Sequence, residues 1–271
     1  MRVGWKCVPA AEAASQDVDR TPDEFARSMG YGKRRYASEA EFFRVHGAAW
    51  IAELHDALRE LLDKKRAVLS IGSGECEHEV PFVREGYDVL ASDLVDAAAE
   101  ARRLFPQLRF EQLDVLRPIP LGPFDDVLIT GLDSYFADDQ FDRILENVRG
   151  ALRSQGRLIF VLRYRDNFVT SLIDGVGIPA SCAMLRLAST IGLSRSGWQM
   201  KRHGYRRSVR EVVDIAAQHG FRVGRVRHAG FGVELTRIYL HRVAPPLYAL
   251  ARALDRRAHI LNNAVVFEFL T

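Results

Sequence analysis

Cysteine is scarce in this chain of 271 residues. Its three cysteines, Cys7, Cys76 and Cys182, are too far apart for a zinc site. An odd number of scattered cysteines also argues against a disulfide framework and fits the reducing cytoplasm. The histidines follow no metal-ligand spacing either. We therefore expect a cytoplasmic protein without a bound metal.

Long apolar runs are missing as well. None approaches the roughly 20 residues that a membrane-spanning helix needs, and residues 1–7 are too short and too mixed for a signal peptide. A Gly-Lys-Ser/Thr phosphate loop is also absent. With 48% hydrophobic residues, the chain can form one large domain with a buried core.

The charge is unevenly distributed, although the net charge is only +3. Residues 195–271 contain 14 basic and 5 acidic residues, a net charge of +9, which leaves −6 for residues 1–194. A basic C-terminal portion indicates contact with an anionic acceptor, a nucleic acid or a membrane surface. Dispersed arginines on a solvated surface explain it equally well, so both interpretations stay open.

Strand and helix patterns alternate along the chain, which predicts a doubly wound, mostly parallel α/β sheet with helices on both faces. Capping-box sequences at Ser38–Glu41 and Ser208–Glu211 indicate two helix starts. The predicted strands cover residues 67–71, 87–91, 108–114, 124–131, 157–162, 221–227 and 264–270. The predicted helices cover residues 38–61, 77–85, 97–104, 140–153, 208–218 and 245–261, and residues 154–156 are predicted to form a turn.

The most informative motif is a glycine turn, Gly72-Ser73-Gly74, at the end of the first apolar strand. Glycine allows a tight turn and a close approach of the backbone to a ligand. The next strand ends about twenty residues later in Asp93, which can accept hydrogen bonds from a ribose diol. A dehydrogenase motif needs a glycine where this chain has Glu77. Acids at 75, 77 and 79 would repel a pyrophosphate but tolerate a cationic sulfonium.

On these motifs, residues 67–162 resemble the class I S-adenosylmethionine (SAM)-dependent methyltransferases, and the pattern over 208–270 agrees. The resemblance implies a seven-stranded Rossmann-like sheet with an antiparallel edge strand at 264–270, and SAM as the cofactor. Two positions depart from the family motif, because Ser70 stands at its acid and Cys76 at its third glycine.

The resemblance also implies a set of cofactor-binding residues. The glycine turn and the Thr130-Gly131 pair would face the methionine part, Asp93 the ribose and Asp114 the adenine amino group. Three apolar residues would sandwich the adenine. The implied set is Gly72, Ser73, Gly74, Asp93, Leu94, Leu113, Asp114, Val115, Thr130 and Gly131.

Residues 1–37 are expected to act as a lid, since an N-terminal segment folds over the cofactor in similar enzymes. Arg35 would pair with the methionine carboxylate and Tyr36 would lie beside the sulfonium. A flexible basic leader is the alternative. Residues 38–271 would form the methyltransferase domain, with insertions at about 163–207 on the acceptor side and at 245–261.

Three residues are candidates for catalysis: Asp133 as a base, Tyr135 as a wall of the acceptor pocket, and His78 near the glycine turn. Ordinary loop and surface roles are the alternatives. We expect methyl transfer to an oxygen or nitrogen of a small molecule, such as an anionic glycan, a lipid-linked compound or a secondary metabolite. The alternatives are a nucleic-acid methyltransferase and a non-catalytic SAM-binding subunit. The apolar stripe of residues 245–261 could contact a lipid, the core or a second copy in a homodimer.

Overall fold

The computed structural model describes residues 6–9, 34–46, 49–132, 135–162, 198–201, 207–231 and 262–271. The predicted helix 245–261, the candidate Asp133 and most of the insertion 163–207 lie outside these residues. The described helices are α1 Glu39–His46, α2 Ala49–Arg59, α3 Glu79–Arg84, α4 Ala99–Leu104, α5 Asp138–Ala151 and α6 Val209–Gln218. The strands are β1 Lys6–Pro9, β2 Ala67–Ile71, β3 Asp88–Asp93, β4 Arg109–Gln112, β5 Phe124–Thr130, β6 Leu152–Leu162, β7 Trp198–Lys201, β8 Arg222–Phe231 and β9 Asn262–Leu270.

Seven of these strands form one sheet in the order β4-β3-β2-β5-β6-β9-β8. Strands β2 to β6 are parallel to one another, and β9 runs antiparallel to both β6 and β8. The carboxyl ends of the five parallel strands therefore share one edge of the sheet. This confirms the doubly wound α/β class that the sequence predicts.

The antiparallel strand β9 lies one place in from the edge, whereas the sequence prediction put it at the edge. Its side chains at 264–269 are buried, as expected for a strand with neighbours on both sides, and only its last residue, Leu270, is exposed among those described. Strand β8 is the edge, and its exposed residues include several arginines. Charged residues are typical of edge strands because they discourage pairing with another chain.

The core covers both faces of the sheet. Along β5, Val127 and Ile129 pack with α5 and α6 in one buried cluster, whereas Leu128 packs with α2 and α3 in another. This alternation follows the two-residue period of a strand. A third cluster joins α1 to α4, where the Phe42 and Phe105 ring centroids are 5.3 Å apart.

Two local predictions need correction. The predicted helix 38–61 is two helices, α1 and α2, on either side of residues 47–48, which are not described. The predicted turn at 154–156 belongs to β6, where the pairing with β5 shifts register. A Cβ on Gly156 would come within 2.9 Å of the Arg153 carbonyl oxygen, so the backbone folds tightly here without leaving the strand.

The N-terminal segment contains a strand that the sequence did not predict. Strand β1 pairs antiparallel with β7, which lies inside the predicted insertion 163–207. Four-residue strands give too short a periodic pattern to be recognised from sequence. Among the described residues, no helix is both long and apolar enough to span a lipid bilayer.

A ladder of ion pairs crosses the sheet near the amino ends of the parallel strands. Asp126 on β5 is fully buried and accepts hydrogen bonds from Arg66 at 3.0 Å and from Arg157 at 2.6 and 2.8 Å. Glu268 on β9 accepts from Arg157 at 2.8 Å and from Arg225 of β8 at 2.7 Å. Hydrogen bonds from Arg225 and Arg157 outweigh burial and lower the pKa of Glu268 to about 2.

Replacing Asp126 with alanine should destabilise the protein strongly, because the Nε and Nη2 atoms of Arg157, whose side chain is only 13% exposed, would lose their acceptors. We expect a loss of about 3–5 kcal/mol in the free energy of unfolding, measured with urea at pH 7. Asp56→Ala is the control, since Asp56 pairs with Arg59 at the surface and should cost less than about 1 kcal/mol. Equal effects of the two substitutions would contradict a structural role for the ladder.

Candidate functional site

The glycine turn after β2 is tied to the end of β3. The backbone N–H groups of Gly72 and Ser73 both donate to the Ser92 carbonyl oxygen, at 2.8 and 3.0 Å. The Ser92 N–H donates to the Ser73 hydroxyl at 3.2 Å. The Gly74 N–H donates to Asp93 Oδ2 at 2.8 Å. The turn and Asp93, which the sequence predicted to share a site, are therefore in direct contact.

The backbone of the turn adopts conformations that disfavour a Cβ atom. Gly72 has φ +76° and Gly74 has φ +53°, and a Cβ on Gly72 would lie 2.8 Å from Leu132 Cδ1. Cys76, at the motif's third glycine position, also has a positive φ of 60°. That conformation costs a non-glycine residue about 1–2 kcal/mol. The Cys76 side chain is fully buried, and burial raises the pKa of its thiol well above the usual value.

Asp93 is a buried carboxylate at this edge of the sheet, with 6% of its surface exposed. Burial raises the pKa of Asp93, although N–H groups of the backbone at Gly74, Val95 and Leu94 oppose the shift. A carboxylate offers about four acceptor positions, so these contacts leave room for further donors.

Asp114 lies at the same edge, because β3 and β4 are parallel neighbours and the Leu113 N–H donates to the Asp93 carbonyl oxygen at 2.8 Å. Its side chain is 36% exposed. Asp114 Oδ1 accepts from the Leu116 N–H at 3.0 Å, and Oδ2 pairs with Arg117 at 3.2 Å. Of the predicted apolar residues, Leu113 and Val115 belong to the core and Leu94 is half-buried.

At the end of β5, the buried hydroxyl oxygen of Thr130 has no hydrogen-bond partner among the residues that the structure describes. The next residue, Gly131, has φ +67° and open space where a Cβ would lie. A buried hydroxyl beside open space is a position that a polar ligand group can satisfy. The structure thus brings Thr130, Gly131, the glycine turn and Asp93 to one edge of the sheet.

The N-terminal segment is fastened to the glycine turn through Glu75. The Tyr36 hydroxyl donates to Glu75 Oε2 at 3.2 Å, and Arg34 Nη1 reaches the same oxygen at 3.3 Å. Burial and the negative charge of Glu75 raise the pKa of Tyr36 to about 12, so its hydroxyl stays protonated. Arg35 pairs with Glu100 at 2.6 Å in an exposed position. Of these two arginines, Arg34 is thus the one in contact with the turn.

His46 completes a buried network that sequence reasoning missed. Its Nδ1 lies 3.1 Å from Glu77 Oε2, and its Nε2 lies 2.8 Å from the Tyr36 hydroxyl and 3.6 Å from Glu75 Oε2. Both ring nitrogens thus face oxygen atoms. Burial opposes ionisation of Glu77, but the His46 hydrogen bond and the nearby His78 lower its pKa to about 2. No sequence spacing joins α1 to the glycine turn, so only the fold reveals this contact.

Two of the three catalytic candidates, His78 and Tyr135, are among the described residues. His78 is buried beside α2, with its Nδ1 3.3 Å from His55 Nε2. Burial, and then the neighbouring His78, lower the pKa of His55 to about 3. Tyr135 lies just beyond β5 and is 41% exposed. Asp133 lies outside the described residues, and the roles of all three candidates stay predictions.

A cavity of about 20 Å³ lies between the N-terminal segment, the glycine turn and α4. A space of this size holds about one water molecule. As it stands, this cavity is too small for a ligand of nucleoside size. The side chains that line it include those of Arg34, Arg35, Tyr36, Glu75, Asp96 and Glu100.

No protein-family model and no curated protein matches this chain. Solved structures do match. A SAM-dependent methyltransferase of Thermotoga maritima has a TM-score of 0.52 at 17% identity, covering 84% of this chain and 92% of its own. Magnesium protoporphyrin IX methyltransferase of Synechocystis PCC 6803 was solved with S-adenosylhomocysteine (SAH). It has a TM-score of 0.55 at 13% identity, covering 91% of this chain and 93% of its own.

A third similar structure is the 1,6-didemethyltoxoflavin-N1-methyltransferase of Burkholderia thailandensis, solved with its substrate and SAH. It has a TM-score of 0.55 at 15% identity and covers 98% of this chain and 95% of its own. These similarities show the fold. The chain has the class I SAM-dependent methyltransferase fold, as its sequence motifs imply.

The contact between Gly72 and Leu132 gives a stability prediction. Gly86→Ala should cost about 1–2 kcal/mol, because Gly86 has φ +88° and nothing within 4 Å of a new Cβ. Gly72→Ala should cost about 1–3 kcal/mol more, since it adds the clash with Leu132. Urea unfolding measures both. In a Leu132→Ala background the excess should disappear, and an excess that persists there would show that Leu132 is not its cause.

Proposed function

We propose that this chain is a SAM-dependent methyltransferase. The observation that carries the proposal is the buried Asp93 carboxylate, bonded to the Gly74 N–H at the carboxyl edge of the sheet. In open α/β sheets, ligands bind outside this edge. The similar Synechocystis and Burkholderia enzymes, which share the fold, were solved with SAH.

The residues present fit the cofactor. Asp93 has acceptor capacity for ribose hydroxyls, and the half-exposed Asp114 can accept from the adenine amino group. The unpartnered Thr130 hydroxyl and the space beside Gly131 suit the methionine part. When bound, SAM supplies a methyl group that its sulfonium has already activated. The chain then has to hold the acceptor in line with that methyl group and exclude water.

The charge around the turn favours a cation over a pyrophosphate. Glu75, Glu77, Glu79 and Asp93 all lie in or beside the glycine turn, and Glu77 remains ionised because its pKa is about 2. A diphosphate would be repelled by these carboxylates, whereas a sulfonium or ammonium group would be attracted. This electrostatic pattern supports SAM over a nicotinamide dinucleotide.

The N-terminal segment acts as a lid in this proposal. Tyr36 and Arg34 hold Glu75 in the described state, and they must release it before a ligand of nucleoside size can bind. Arg34 or Arg35 could then pair with the ligand's α-carboxylate, which has the same chemistry as the Glu75 side chain.

For the acceptor we propose an oxygen or nitrogen of a small, anionic or lipid-linked molecule in the cytoplasm. Two of the similar proteins are named for small-molecule substrates, a magnesium porphyrin and a didemethyltoxoflavin. In the described part of the basic C-terminal portion, Arg225 pairs with Glu268 and Arg227 with Glu60, which reduces the positive charge offered to a nucleic acid. Tyr135, exposed beyond β5, is the best placed described candidate to contact the acceptor.

Asp93→Asn should weaken SAM binding. The amide oxygen can still accept from the Gly74 N–H, but the charged acceptor for the ribose is lost, which should cost about tenfold or more in affinity. Asp88→Asn is the matched control, because Asp88 is the exposed first residue of the same strand and pairs with Arg109. Calorimetry with SAM, SAH and NAD measures the affinities. Unchanged SAM affinity in Asp93→Asn, or tighter binding of NAD than of SAM, would contradict the proposal.

The acceptor class can be tested by methyl transfer from radiolabelled SAM into a cell lysate divided into aqueous metabolites, lipid extract and RNA. We expect protein-dependent label in the metabolite or lipid fraction, with little dependence on salt. Label in RNA whose transfer falls steeply with salt would indicate the nucleic-acid alternative, because phosphate contacts release counterions. Tight SAM binding without labelling of any fraction would favour a non-catalytic subunit.

A further inference from the structure

The family motif places an acid two residues before the first glycine, where this chain has Ser70. The structure shows an acid at the same place that comes from another element. Glu79, on the first turn of α3, accepts a hydrogen bond from the Ser70 hydroxyl to its Oε1 at 2.6 Å. A carboxylate therefore lies directly against the strand position that lacks one.

The second oxygen of Glu79 is unusual. The residue is only 1% exposed, and its Oε2 has no hydrogen-bond partner in the described structure. Most buried polar atoms in proteins are paired, because an unpaired one costs free energy. A buried carboxylate oxygen without a donor beside a candidate ligand site indicates that its partner arrives with the ligand.

The surroundings connect Glu79 to the glycine turn. The Ser70 carbonyl oxygen accepts from the hydroxyl of Ser73, in the turn, at 3.2 Å and from the hydroxyl of Ser92, on β3, at 2.8 Å. The residue that bonds Glu79 therefore also contacts the turn and the end of β3. After burial, the negative charges of Glu79, Asp93 and Glu77 also raise the pKa of the Cys76 thiol, so these three carboxylates lie near one another. No basic side chain in the described structure forms an ion pair with Glu79, so this negative potential is not neutralised locally.

We propose that Glu79 replaces the motif's missing acid, acting as a positioning residue that holds the turn through Ser70 and supplies the buried negative charge for the cationic end of the bound cofactor. This inference rests on the proposed SAM-binding function. It assigns the charge to the helix after the turn instead of to the strand before it.

The proposal has a pH consequence. Burial, together with the charge of Glu77, raises the pKa of Glu79 to about 7, although the hydrogen bond from the Ser70 hydroxyl opposes the shift. A bound cation favours the ionised form, so SAM affinity should increase as the pH rises towards about 7 and level off above it. Below that pH, affinity should fall by up to about tenfold per pH unit.

The stability of the folded protein should decrease as the pH rises, whereas SAM affinity increases. The folded-state pKa lies above the ordinary value of 4.5, so Glu79 contributes its full stabilisation below about pH 4.5 and loses it as the pH rises through about 7. Glu79→Gln removes the buried charge and keeps the shape. At pH 8 this variant should therefore unfold at the same temperature as the wild type or a higher one. If Glu79 had a purely structural role, Glu79→Gln would instead unfold at a lower temperature than the wild type.

The experiment compares four proteins by calorimetry with SAM and SAH between pH 6 and pH 9: wild type, Glu79→Gln, Ser70→Asp/Glu79→Gln and Glu146→Gln. The double variant returns the acid to the strand. Glu146 is an exposed residue of α5 and serves as the matched control. Thermal unfolding at pH 8 is recorded for each protein.

We expect Glu79→Gln to bind SAM about tenfold more weakly at pH 8 and to lose the pH dependence below 7. The double variant should recover affinity, and Glu146→Gln should match the wild type. A stable Glu79→Gln protein with wild-type affinity and pH profile would overturn the inference alone. A wild-type protein that binds neither SAM nor SAH would instead overturn the proposed function.

Discussion

The candidate site depends on the hydrogen bonds that hold the glycine turn against the end of β3. Three successive N–H groups, those of Gly72, Ser73 and Gly74, donate to the Ser92 carbonyl oxygen and the Asp93 carboxylate. Two strands that are parallel neighbours end at the same edge, so this contact follows from the topology. It fixes the distance between the turn and the acid before any ligand is present, which is the preorganisation that a binding site needs.

The elements predicted best from the sequence are those with local physical signals. The boxes at Ser38 and Ser208 cap α1 and α6 as expected, and each parallel strand overlaps the apolar run that predicted it, although β6 begins earlier, at Leu152. Predictions that depend on long-range contacts fared less well. The place of β9 within the sheet depends on pairing with a strand a hundred residues away, and the contacts of His46 and Glu79 depend on how helices approach the turn.

Buried carboxylates have different partners at the two ends of the parallel strands. At the amino ends, the buried carboxylates of Asp126 and Glu268 are each matched by arginines. At the carboxyl ends, Asp93 and Glu79 form no ion pair among the described residues and are held by N–H and hydroxyl groups, and burial raises the pKa of both. Matched charges stabilise a fold, whereas unmatched charges weaken it and are retained where they interact with a ligand. This contrast separates the supporting end of the sheet from the functional end.

The edge strand β8 has a consequence for the behaviour of the protein at high concentration. An open strand edge is a template on which another chain can add, and its exposed Val223 and Val226 would favour such growth. Between them the pairing with β9 shifts register, and arginines 222, 225 and 227 surround them. A bulge and charged side chains at a strand edge both oppose pairing with another chain. The charged side chains of β8 are thus suited to keeping copies of the chain apart at high concentration, even where ion pairs offset their positive charge.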